Sequence, residues 1–227
     1  LLLHVACALA LYRLLCDLQR LAAPGADETD TAVRAGIVAA AFALHPVAVY
    51  GAGYLIQRSM LFATLFCLLS LVLFLRGLRR GKVSDAIAAA VLYSLAVLSK
   101  EHALLLPAAA LPLLALAGTP KHFALRNLAI FLAACAPAAV FVLMLSMGLI
   151  GTSCEDAARA TAAQMEAAGG EGAAAYPLAM SMATQAGLFF EYFALWLWPD
   201  PGAMSVDLRV DFLATWSAGW IAAKALA

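Results

Sequence analysis

The stretch ALHPVAVYGAGYLIQRSMLFATLF, residues 43–66, sets His45, Pro46, Tyr50, Tyr54 and Arg58 between two runs with almost no polar residue. A second polar cluster, Lys100, Glu101 and His102, interrupts the apolar region 86–118, and His4 stands near the start of the first apolar run. Charges beside hydrocarbon are expensive and usually face a bundle interior or a wet cavity. Arginine can hold a phosphate through two parallel hydrogen bonds, and lysine adds a compact point charge. A cationic pocket gathered at a membrane boundary would therefore suit a phosphate-bearing ligand. Plainer readings stand beside this one. Arg58 and Lys100 could be anchors snorkelling to headgroups, the tyrosines an aromatic belt, and His45 a structural histidine.

The elements that must position these residues follow from composition. Hydrophobic residues make up 65% of the chain and charged ones 12%, and mean hydropathy is +0.92. So little polar surface points to a bilayer as the solvent. No strand alternation persists, which excludes a β-barrel. The fold class expected is all-α, a polytopic transmembrane helix bundle. Candidate spans are 1–16, 35–54, 59–75, 86–99, 103–118 and 128–150, with a further one from about 212. That makes about seven. Residues 178–198 read differently: Ser181, Thr184, Gln185, Glu191 and Tyr192 share one side of a helix, opposite a largely aromatic side. This is an interfacial pattern, with a true span, which would put PDPGAMSVDLRVDF in the cytoplasm, as the alternative. The domain organisation expected is one transmembrane domain over 1–227, with 151–211 an extracytoplasmic loop carrying the interfacial helix.

The region 86–118 could be one helix with Lys100 and Glu101 at its middle, or two short ones joined by SKEH. A single helix would run about 50 Å, far beyond a hydrocarbon core of about 30 Å. Both flanking segments, RGLRRGK and TPKHFALR, are basic, and basic loops prefer the cytoplasm. Two crossings keep both on one side, so two are expected. Arg13, Arg20, Arg34, Arg76, Arg79, Arg80, Lys82, Lys121 and Arg126 then fall on the cytoplasmic side. Arg58, Lys100, Arg159 and Arg209 fall on the other. The long segment 151–177, acidic and rich in Ala and Gly, is expected as an outer loop.

Other classes are limited by what the sequence contains. There is no basic stripe for nucleic acid. The five cysteines form neither a disulfide framework nor a zinc site and read as packing residues. No local ligand motif demands a metal, although a divalent cation is compatible. The first run has no basic region before it and no small-residue cleavage site, so it is not read as a signal peptide. Both chain ends suggest the interior of a longer polypeptide.

Three segments together carry a resemblance: LHPVAVYGAGYLIQRSMLFATLFCLLSLVLFLRG, LSKEHALLLP and ATQAGLFFEYFALWLWPDPGAMSVDL. In order and spacing they resemble integral-membrane glycosyltransferases of the GT-C fold class. The closest likeness is to bacterial relatives of the transmembrane-and-TPR (TMTC) protein O-mannosyltransferases. The resemblance implies a polyprenyl-phosphate sugar donor and a protein or glycan acceptor, used at the outer, periplasmic face of a bacterial inner membrane. It implies that Arg58 and Lys100 bind the donor phosphate. His45, Tyr54, Glu101, His102, His4, Thr184 and Gln185 would support them or bind substrate. Family members use an acidic residue in the first external loop, which this alignment puts upstream of Leu1. At Tyr50 relatives commonly carry Glu or Gln. A transporter or flippase for a lipid-linked or anionic substrate is the alternative, although no internal repeat or midplane charge supports it. An inert helix scaffold is a third reading.

Overall fold

The computed structural model describes residues 1–48, 53, 57–118, 120–167 and 177–200, with side chains described outside 147–185. Tyr50, Tyr54 and the span expected from about 212 lie outside the described residues. Two compact units divide the chain, Leu1–Ser146 and Met147–Ala227.

Every element described is helical. The first unit contains α1 (Leu2–Ala22), α2 (Glu28–Leu44), α3 (Arg58–Arg80), α4 (Val83–Ser99), a 3-10 segment (Glu101–Ala109) and α5 (Ala110–Ala117). α6 (Lys121–Ala167) begins in it, and α7 (Pro177–Leu197) belongs to the second unit. Among the described residues, three helices are long and apolar enough to cross a membrane: Leu2–Ala22, Arg58–Arg80 and Lys121–Ser146. Val83–Ser99 and Glu101–Ala117 are apolar but shorter. At a rise of 1.5 Å the seventeen residues of Val83–Ser99 cover about 25 Å, short of a core of about 30 Å. The 3-10 turns of Glu101–Ala109, rising about 2 Å per residue, stretch Glu101–Ala117 to about 30 Å. Large apolar side chains such as Leu9, Ile37, Leu105 and Met144 lie exposed on this unit, each more than 60% accessible. An apolar surface of this extent suits a lipid surround.

The breaks between helices have local causes. α2 ends at His45, whose backbone is extended (φ −61°, ψ 132°) because Pro46 disfavours a helical predecessor. α3 ends on Gly81 in the left-handed region, φ 64°, the conformation glycine adopts without a Cβ clash. Lys100 is extended (φ −160°, ψ 131°) between α4 and the 3-10 segment, so the chain breaks within SKEH.

Within this unit the chain runs up and down. Cys7 Sγ reaches Leu61 O (3.4 Å) near the starts of α1 and α3, and Arg79 Nη1 reaches Asp17 Oδ1 (3.5 Å) towards their ends. These two helices therefore run the same way, with α2 and α4 returning. Arg126 on α6 donates to Gly81 O at 3.3 Å. Residues 101–117 thus come back from the far end of α4 to the end where α3 turns into α4.

α3 and α4 form the closest pair. Ala86, Ala89, Ala90 and Ala96 are fully buried along α4, and such small residues let backbones approach where no hydrophobic force separates protein from lipid. A Cβ added at Gly77 would stand 3.1 Å from Asp85 Cβ. Ser70 Oγ donates to Ala89 O at 2.8 Å, and Phe74 packs on Phe131 of α6 with centroids 4.7 Å apart. Tyr93, fully buried, donates to Leu104 O at 3.3 Å. In a 3-10 segment that carbonyl would take the amide of residue 107, and Pro107 has none to give.

One expectation is corrected here. Residues 151–167 are helical, the continuation of α6, where the sequence reading put a loop. The run CEDAARATAAQMEA is polar enough to leave a bilayer, yet alanine is the strongest helix former. Polarity marked the end of an apolar span, not the end of a helix. α7 takes the expected boundaries closely, starting on Pro177, whose fixed φ suits a first helical position.

Candidate functional site

The start of α1, the end of α2, the start of α3 and the turn after α4 all lie at one end of the first unit. This end carries His4, His45, Arg58, Lys100, Glu101 and His102. Arg58 opens α3 with an exposed side chain, and no described residue pairs with it. Lys100 Nζ stands 3.2 Å from Glu101 Oε1, with the lysine side chain 38% and the glutamate 60% exposed. The Glu101 carboxyl titrates below the ordinary range, first because its own backbone N–H bonds it and then because Lys100 does. It therefore stays anionic beside the ammonium at neutral pH. His102 is exposed next to it.

The two histidines of the opposite helices are more committed. His4 is buried, 6% accessible, and stacks on Phe42 with centroids 5.5 Å apart. Its Nε2 lies 3.0 Å from Ala43 O. A carbonyl only accepts, so Nε2 carries the proton. Ala43 sits in the last turn of α2, where carbonyls lack an intrahelical donor; His4 supplies one and ties α1 to α2. Its Nδ1 is buried without a partner. His45 Nδ1 accepts the Val47 amide at 3.2 Å and His45 O accepts the Ala48 amide at 2.9 Å. His45 therefore stabilises the turn that leaves α2. Tyr54 is outside the described residues. Thr184 and Gln185 fall within α7, in the second unit, with side chains outside the described set.

No group of three or more His, Cys, Asp or Glu side chains gathers to hold a metal among the described residues. Cys7, Cys16, Cys67 and Cys135 are free thiols within the helices.

Sequence reasoning passed over two carboxylates. Asp85, in the first turn of α4, takes two hydrogen bonds from Arg76, Nη2–Oδ1 at 2.7 Å and Nε–Oδ2 at 3.2 Å. That fork holds the Asp85 carboxyl below its usual range. Asp17 gathers arginines from α1 and α3 at the other end of the unit. The signal for Asp17 was present as an i, i+4 pair with Arg13.

Comparison with family models, with curated proteins and with solved structures finds no match for this chain.

Proposed function

We propose that the chain belongs to a GT-C-like membrane glycosyltransferase that moves a sugar from a polyprenyl-phosphate donor to an acceptor hydroxyl. In this reading about seven spans cross a bacterial inner membrane, α7 lies along the outer surface, and the site opens on the periplasmic side. The observation that carries it is the gathering of Arg58, Lys100 and Glu101, from separate helix ends, at one end of the first unit. The motif resemblance supports the same residues independently.

The chemistry follows from charge. An acceptor oxygen attacks the anomeric carbon, the bond to the donor's phosphate oxygen breaks, and negative charge grows on the leaving polyprenyl phosphate. Arg58 and Lys100 would stabilise that charge more in the transition state than in the bound donor. Glu101 would orient the Lys100 ammonium, which the leaving phosphate monoester, gaining charge beyond that of one carboxylate, can then attract. The acceptor's proton would pass to an acidic residue of the kind the resemblance implies in a first external loop. His4 and His45 hold the helix ends that frame the site.

The test is sugar transfer from a polyprenyl-phosphate donor by membranes containing the full-length protein. Arg58→Ala and Lys100→Ala should each slow transfer while expression and melting stay unchanged. Arg58→Lys should recover part of the rate, because the charge returns without the two-pronged geometry. Full transfer by both alanine variants would leave snorkelling anchors as the better account. Donor translocation without transfer would favour a flippase.

A further inference from the structure

The cations at the opposite end of α1 and α3 form a separate feature. Arg13 and Arg20 on α1 and Arg76, Arg79 and Arg80 on α3 line a cleft of about 450 Å³ together with Asp17, Val72 and Leu75. Arg80 lies 22 residues along α3 from Arg58, about 33 Å at 1.5 Å per residue, so this cleft is distinct from the donor site.

Its carboxylates are already shared. Asp17 receives Arg13 Nε at 3.0 Å, Arg79 Nη1 at 3.5 Å and Arg20 Nη1 at 3.8 Å. Glu28 takes Arg20 Nη2 at 3.5 Å, and Asp85 takes Arg76. Five guanidinium groups against three carboxylates leave a positive surplus. Two donor groups are left without an acceptor. Arg20 Nε is buried with no hydrogen-bond partner, and Arg80 is exposed with no ion pair or hydrogen bond among the described residues. Arg20 Nε is closed off from the cleft, but the exposed Arg80 guanidinium keeps its N–H donors open to an acceptor-only anion.

We propose that this cleft binds the phosphate group of an anionic phospholipid from the surrounding leaflet. Both walls are helices long enough to span a membrane, so their ends fall at headgroup depth, where basic pockets between helices attract anionic lipids. Val72 and Leu75 add apolar lining against which the start of an acyl chain can rest. A soluble phosphate ester offers the same oxygens but has no use for that lining.

The purified chain in a neutral detergent, titrated with phosphatidylglycerol, phosphatidylcholine or inorganic phosphate, separates the sources by its melting temperature. Phosphatidylglycerol should raise it saturably, and the two other additions should not. Arg80→Gln and Arg20→Gln should each weaken the phosphatidylglycerol effect about tenfold or more. Arg80 has no ion pair or hydrogen bond to lose, only a longer-range attraction to Asp85, so its variant should keep the unliganded melting temperature closely and decides alone if Arg20→Gln does not fold. Equal shifts from phosphatidylcholine, or an Arg80→Gln titration matching the parent, would overturn the proposal. Stabilisation by inorganic phosphate with no gain from phosphatidylglycerol would also overturn it, in favour of a soluble ester.

Discussion

The two ends of the α1–α3 pair carry arginines in opposite circumstances. At one end Asp17, Glu28 and Asp85 hold Arg13, Arg20, Arg76 and Arg79 in place. At the other Arg58 stands exposed without a described partner, and Lys100 has one glutamate beside it. A fixed arginine organises helix ends and presents leftover donors; a loose one keeps its full hydrogen-bonding capacity for a ligand. The same residue type therefore serves architecture at one end and, on the reading above, chemistry at the other.

The largest effects should come from the loose end. On the proposed reading, Arg58→Ala and Lys100→Ala would each remove a charge-assisted contact worth about 1.5–3 kcal/mol, or one to two decades in transfer rate. An exposed control, Arg34→Ala, should change the rate little. Next comes the tight α3–α4 contact: Gly77→Val drives methyl groups into Asp85 and the α4 backbone and should cost about 1–3 kcal/mol in thermal unfolding. Asp85→Asn should cost less, about 1–2 kcal/mol, because Arg76 remains solvated. The sign with pH is fixed by the lowered Asp85 pKa. Its stabilisation is present above the ordinary carboxylate value near 4 and is lost as pH falls through the lower folded value. Parent and variant should thus converge in stability only in strong acid. Convergence already at pH 6 would contradict the ion-pair assignment. The smallest effect is Tyr93→Phe, about 1 kcal/mol, read as earlier melting, since it strands the Leu104 carbonyl that Pro107 cannot serve.

How much of this was readable before the structure depended on the range of the interaction. The break within SKEH was legible because helix length and flanking charge both demanded it. The side-by-side return of 101–117 followed from the same argument. The end of α6 was not legible from hydropathy, which reports the solvent a segment prefers and not whether it is helical; alanine at 157, 158, 160, 162 and 163 carried the missing information. The role of His4 could not be read at all, since its partner is a backbone carbonyl 39 residues away. The arginines of RGLRRGK were read for orientation, and their count was informative. That they meet Asp17 and Arg20 of another helix is a tertiary fact with no local signature.

Everything rests on the two ends facing opposite sides of a membrane, and single-cysteine labelling addresses that directly. In a background without native cysteines, Gly81→Cys marks the arginine end and His102→Cys the Lys100 end. An impermeant maleimide applied to intact cells should label His102→Cys at once and Gly81→Cys only after the membrane is opened. Equal labelling of both from outside, or labelling of Gly81→Cys alone, would contradict the account.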